Sequence, residues 1–317
     1  CEFIYQSFSR MLNIWLDLAE RHRKIREETK SLAQQMAAKK QTTSSTTFDL
    51  KKQQLDGLRL RVTEMTTEMS NLLKRVPKYY LLTAFSLIMS RLSHPSAQCF
   101  AVLQNMVIEC IQAYPDQALW LFTSLCESRT KNSESGKELT ERAKRILSHE
   151  NLKSLHPMVE KFRKIFREFC DLCLASRPNH ISSGALPLTS LISRTSNLMS
   201  PDVYEEILIP AQKFMTIVLP RSTDNGGIVA STLPVAHNPF PETRVTIAKI
   251  RNEAYVYSSM QKPVRITLVG TDGHPYPMIF KAMDDLRIDS RAMEFNAVVN
   301  MYLKRDAEAR NRALIVR

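Results

Sequence analysis

Glycine is scarce, with 7 residues in 317, where an average chain has about 7%. Glycine interrupts helices and supplies many β-turns, so its depletion favours long helices over a turn-rich all-β chain. The six cysteines (Cys1, Cys99, Cys110, Cys126, Cys170, Cys173) are scattered. That excludes a disulfide scaffold and predicts reduced thiols in an intracellular protein. Cys170 and Cys173 have the spacing of a redox or metal pair, yet no second cysteine pair and no nearby histidine pair completes a site. Both are therefore predicted as core thiols of an apolar-periodic helix, and no metal site is expected. No run approaches 18 consecutive apolar residues, so no membrane span is expected. No signal-peptide pattern stands at the start. The chain opens at Cys1 and closes on Ile315-Val316-Arg317, and Leu314–Val316 read as the start of a strand, so both ends are expected to be cut from something larger.

What is there is ordinary for a folded chain: 44% hydrophobic and 24% charged residues, which excludes disorder and collagen-like structure. The net charge is +12, from 44 basic and 32 acidic residues, and such a surplus suits a polyanion partner. The basic residues are nevertheless spread along amphipathic helices, as at Lys161, Arg163, Lys164 and Arg167, and read as solvated faces. A helical nucleic-acid-binding module rests on charge alone.

The first two-thirds of the chain has helical periodicity. Helices are predicted over 3–39, 49–75, 78–92, 97–113, 116–128, 137–149 and 157–176, separated by short breaks at Gln41–Thr47, Pro77, Ser93–Ser96 and Tyr114-Pro115. Ser96 is placed to cap the helix after it. Serial helices of this length with short breaks describe a helical-repeat solenoid, with a compact bundle as the alternative. Residues 177–201, rich in serine and proline, are expected as a long loop, and 202–217 as a short helix. Pro220–Gly227 punctuates the chain, and a domain boundary is placed there.

After the boundary the pattern changes. Strands are predicted at Val245–Ile250, Glu253–Tyr257, Val264–Val269 and Tyr276–Lys281, with Gly270-Thr271-Asp272-Gly273 as hairpin turn. Tyr276, Met278 and Phe280 fall on one face of the last strand, Ile279 and Lys281 on the other. A helix follows over 289–304. Strands, a strand-end lysine and then a helix are the build of a protein-kinase small lobe, where a lysine reaches ATP phosphates and an acid holds the lysine. Asp284, Asp285, Asp289 and Glu294 lie close to Lys281 in sequence, and a buried lysine needs such a partner to stay charged. Ser258-Ser259-Met260-Gln261-Lys262 joins two strands with hydroxyls, backbone amides and a lysine, a fair phosphate cradle that lacks the glycines of ordinary kinases.

Lys262-Pro263, Gly270–Gly273, Tyr276-Pro277-Met278, Lys281, Asp284-Asp285-Leu286-Arg287, Asp289, Met293–Asn296 and Leu303–Glu308 with Arg310 run in one order. That order closely resembles the small lobe of the phosphatidylinositol 3-kinase-related protein kinases, in their DNA-damage and replication checkpoint branch. Upstream, Val76–Ser86, Ala113–Trp120, Ile207–Pro210 and His237–Pro241 resemble the end of that family's helical FAT domain and its junction with the kinase.

The resemblance implies a mainly α chain: a FAT-type helical-repeat solenoid over 1–219, a linker over 220–236, and an incomplete α+β kinase small lobe with an antiparallel sheet over 237–317. It implies ATP contacts by Lys281, Ser258, Ser259, Gln261 and Lys262, with Ile279 and Tyr257 lining the adenine pocket. Asp284 takes the place of the acid that pairs with the lysine, and Asp289 that of a second acid. Glu294 and Arg287 are either further site residues or scaffolding. Met283 and Ile288 stand where the family has basic residues. The catalytic aspartate and metal ligands are expected past Arg317, so no catalytic or metal residue is assigned and the segment alone is expected to be inactive.

The parent would be a serine/threonine protein kinase using ATP with Mg²⁺ or Mn²⁺ on Ser/Thr-Gln sites. It would sit in the nucleus with an obligate partner, activator proteins and protein substrates, be recruited indirectly to coated single-stranded DNA, and have no membrane contact. A pseudokinase scaffold, a helical regulatory module and a lipid kinase are the alternatives.

Overall fold

The computed structural model describes residues 4–39, 45–127, 134–175, 183–215, 221–222, 228–229, 238–281 and 286–316. The chain divides into two compact units.

The first unit is helical and holds residues up to Tyr114 together with Ser135–Leu152. Helices α1 (Ile4–Lys39) and α2 (Ser45–Arg75) form a long hairpin. Phe8, Leu12, Trp15, Leu16 and Ala19 of α1 are buried, as are Leu58, Val62, Met69 and Leu73 of α2. These sit at 3- and 4-residue spacings, which align them on one stripe of each helix. The Trp15 indole donates to the Thr66 hydroxyl at 3.0 Å across the hairpin. Ser45–Thr47, expected within a loop, open α2 instead; residues 41–44 lie outside the described residues.

The helix expected over 78–92 is two short ones, α3 (Tyr79–Thr83) and α4 (Phe85–Ser90), broken at Ala84. Helix α5 (Ala97–Ala113) starts where capping chemistry places it, with the Ser96 hydroxyl accepting from the Cys99 amide. Helix α7 (Glu134–Leu147) belongs, from Ser135 on, to the same unit. Its Arg142 donates to the carbonyls of Leu92 and His94 and lies over the Phe100 ring. His94 is thereby enclosed between helix ends and is buried.

The second unit begins with α6 (Pro115–Glu127) and α8 (His156–Leu174), which pack on each other. Arg163 and Arg167, read as a solvated face, both clamp the Glu127 carboxylate at 2.8 and 3.0 Å. Burial raises the Glu127 pKa, and the two guanidinium groups more than reverse this, leaving it below the ordinary carboxylate value. Cys170 and Cys173, expected in the core, are half-buried; Cys99, Cys110 and Cys126 are buried. Among the described residues no cluster of histidine, cysteine or acid could hold a metal ion, and no helix is long and apolar enough to cross a membrane.

A four-stranded antiparallel sheet completes this unit, in the order β1 (Gly184–Leu186), β4 (Ile247–Val256), β5 (Val264–Gly270), β6 (Pro275–Phe280). A separate ribbon pairs β2 (Arg221–Ser222) with β3 (Ile228–Val229). Strand β1 lies in the stretch expected as a loop, and it forms the outer strand beside β4. The two strands expected at 245–257 are one, bent by a register shift between Ile250 and Ala254.

The helix expected over 202–217 is instead a turn of α-helix, α9 (Pro201–Tyr204), and a 3₁₀ turn at Pro210–Lys213. Pro210 breaks the ladder between them. The residues between pair with the sheet: the Ile209 amide donates to Val245 at 2.8 Å and the Ile247 amide to Ile207 at 2.9 Å.

The β5–β6 turn is tight. Gly273 has φ +79°, a conformation glycine adopts without strain. A Cβ on Gly270 would stand 2.4 Å from Asp272 Oδ1 and 2.7 Å from Val245. Helices α10 (Leu286–Arg305) and α11 (Ala307–Asn311) end the described chain. On α10, Met293, Phe295 and Tyr302 are exposed. Leu314–Val316, expected to begin a strand, is irregular and tied by Val316 to the Asn300 amide at both ends of that side chain.

Candidate functional site

Strand register brings the candidate residues to one end of the sheet. Gly184 pairs with Val256, Val256 with Val264, and Val264 with Phe280. The loop 257–263 and Lys281 both leave this row. Adjacent strands lie about 4.8 Å apart, so the loop at the β4–β5 end and the residue after β6 are roughly 10 Å apart or less.

The two faces of the sheet differ. Val256, Val264, Ile266 and Phe280 are buried on one. The next paired row, Tyr255–Arg265–Ile279, lies on the opposite face, as strand alternation requires. That face is open: Ile279 is 51% exposed, and Lys281, next on the same side, is half-buried. The Lys281 ammonium stands 3.7 Å from the Asp289 carboxylate of α10. This places the second of the two expected acids at the lysine. Asp284, the first, lies outside the described residues, and so do the side chains of Arg287 and Glu294.

In the loop, the Tyr257 amide bonds to the Pro263 carbonyl and the Lys262 amide to Ser259, each at 3.0 Å. Lys262 has φ +43°, a left-handed turn that closes the loop. Ser258, Ser259, Met260 and Gln261 are exposed. The backbone amides of Ser258, Met260 and Gln261 have no partner among the described residues. A turn with successive free N–H groups is an anion-binding concavity, and a lysine nearby adds a compact positive charge. Such donors fit a polyphosphate; the metal that would accompany it finds no ligand cluster among the described residues.

Two residues of this face escaped the sequence reading. Tyr255 packs against Tyr257 with ring centres 5.0 Å apart. Arg265 lies over the Tyr255 ring at 5.4 Å. Alternation along the strand pointed to Tyr255, two residues before Tyr257, but Arg265 needed the cross-strand register.

Comparison with known proteins places the chain. Residues 64–172 match the family described as "Serine/threonine-protein kinase ATR-like, HEAT repeats". The chain is 28% identical over 321 residues to serine/threonine-protein kinase ATR of Drosophila melanogaster, covering all of this chain and 11% of that protein. It is 28% identical over 317 residues to protein kinase rad3 of Schizosaccharomyces pombe, covering 99% of this chain and 12% of that one. The structure titled "Structure of the open conformation of CtTel1" superposes with TM-score 0.50 at 18% identity, covering 97% of this chain and 12% of its own. The resemblance read from the sequence is thus borne out: the chain is related to the ATR-type checkpoint kinases and has their helical-repeat and small-lobe fold. It spans about a tenth of the length of those relatives.

Proposed function

We propose that the open sheet face and the 258–262 loop are one half of the ATP site of an ATR-type serine/threonine protein kinase. The observation that carries this is the convergence, at one sheet end, of loop amides without a partner among the described residues and a lysine already beside an acid. The amides and hydroxyls of Ser258 and Ser259, with Gln261 and Lys262, would take phosphate oxygens of ATP. The Lys281 ammonium would neutralise phosphate charge. Asp289, with Asp284, would hold that ammonium in place. Tyr257 and Ile279 would flank the adenine from the open face.

Phosphoryl transfer relies on positioning and electrostatic stabilisation, and these groups supply the part that grips ATP. Mg²⁺ or Mn²⁺ would neutralise charge on the transferring phosphate; its ligands and the catalytic aspartate would come from elsewhere in the longer protein. The substrate class is protein serine or threonine, in Ser/Thr-Gln sites. An ATR-interacting-type obligate partner, activator proteins, indirect recruitment to coated single-stranded DNA and a nuclear location complete the reading, and rest on the family resemblance of the sequence.

The test is Lys281→Met, and separately Lys281→Arg, in the full-length kinase. Phosphotransfer should fall by about a hundredfold or more, as for loss of a main electrostatic contact, with expression and partner binding near normal. Arginine should not rescue, because its planar fork does not reproduce a compact point charge. Activity within a few-fold of the parent would sink the assignment.

A further inference from the structure

We propose that Phe169 of α8 is a positioning residue for Lys281, acting through Phe280. The inference rests on the reading of Lys281 as a phosphate ligand. Strand β6 is an edge strand: it pairs with β5 on one side and with no strand on the other among the described residues. Its ladder ends at the Val264–Phe280 pair. Lys281 comes one residue later, so the ladder does not fix it directly. What lies immediately before it is the Phe280 ring, buried on the far face.

That ring is held from α8. Phe169, also buried, lies 4.8 Å from Phe280, ring centre to ring centre, at 54°. Phe169 is stacked near-parallel on Trp120 at 6.4 Å. Trp120 meets Phe162 edge-on at 5.3 Å, and its indole donates to the Leu208 carbonyl at 2.8 Å. Leu208 pairs with Thr246, next to the start of β4. The aromatic column therefore grips the sheet twice, at the entry to β4 and at the exit of β6. Such rings are close-packed, so their shifts are transmitted rather than absorbed. Phe280 cannot move away from Phe169 without the backbone of residue 281 moving with it.

Removing the Phe169 ring leaves Phe280 unsupported on one side and lets Lys281 drift. A displacement of about 1 Å at a positioning group can cost as much as a hundredfold in rate. The lysine stays charged and close, so a smaller loss is expected here. In the full-length kinase, Phe169→Ala should raise the KM for ATP about five- to tenfold and leave the KM for the protein substrate unchanged. A purely structural role would reduce the amount of active enzyme without moving either KM. Phe169→Leu, which keeps most of the volume, should recover most of the ATP affinity.

The deciding experiment is a double-mutant cycle on the Kd of a fluorescent ATP analogue, with Phe169→Ala and Lys281→Met. If Phe169 acts through Lys281, the double variant binds no more weakly than Lys281→Met alone. Additive losses, or an unchanged Kd for Phe169→Ala, overturn the inference. If Phe169→Ala does not fold, Phe169→Leu carries the same cycle with about a two- to threefold effect. Undiminished phosphotransfer by Lys281→Met overturns the site reading itself and the inference with it, a result distinct from additivity.

Discussion

Trp120 is where packing and hydrogen bonding can be separated. Its side chain is 5% exposed and touches Phe162, Phe166 and Phe169. Its indole N–H donates to Leu208 at 2.8 Å in a buried setting. Trp120→Phe keeps an aromatic ring in the column but leaves the Leu208 carbonyl without its donor. An unsatisfied buried acceptor costs about 1–3 kcal/mol. Trp120→Ala removes the ring as well, and such truncations cost about 3–5 kcal/mol. Most of the difference between the two variants is therefore packing, and the Trp120→Phe loss is mainly the hydrogen bond.

The assay has two readouts on the purified full-length protein. Thermal or denaturant unfolding gives the size of the loss. Hydrogen exchange by mass spectrometry locates it: protection should fall around 207–209 and 245–247, where Ile209 bonds to Val245 and Ile247 to Ile207. Exchange in the α1–α2 hairpin should not change. If Trp120→Phe costs less than a few tenths of a kcal/mol and leaves 207–209 protected, the indole bond is not holding this segment, and the reasoning is refuted.

Three further predictions concern other parts of the chain. Burial lowers the His94 pKa, helped by the Arg91 and Arg142 charges and opposed by the Leu16 carbonyl and Glu20. Below the ordinary histidine value near 6.5 the unfolded chain therefore binds a proton that the folded one refuses, and stability falls as pH drops through that window. His94→Gln should flatten the fall in Tm between pH 7 and 5, and an unaltered slope would count against it. Gly270→Ala drives a Cβ into Asp272, Val245 and Tyr276 and should cost about 1–3 kcal/mol as overpacking. Gly57→Ala, in open space on α2, should instead gain up to about 1 kcal/mol by helix propensity. Differential scanning fluorimetry on both variants checks the opposite signs.

Elements whose residues carry their own period were legible from sequence. Helices α1, α2, α5, α6 and α8 bury a stripe each, and the apolar spacing exposes it. The hairpin of β5 and β6 was equally plain, because alternation and the Gly270–Gly273 turn agree. Strand β1 was not: Gly184–Leu186 is three residues long, too short for any period, and becomes a strand only because β4 presents an edge. The segment 202–217 looked helical because its apolar residues are dense. Pairing of Ile207 and Ile209 with the sheet outweighed that local preference.

At the site, the sequence by itself determined the residue types, their order and their family likeness: a serine-rich turn, a strand-end lysine and acids after it. The register of the strands was decided by tertiary structure alone, because pairing in the row at the site depends on partners 8 to 72 residues away. That register set the Ser258–Lys262 loop and Lys281 at one sheet end and put Arg265 on Tyr255, while the placing of α10 brought Asp289 beside the lysine. The contact between Phe169 and Phe280 is more remote still. No local pattern encodes it, since it exists only where the packing of α8 meets the end of an edge strand.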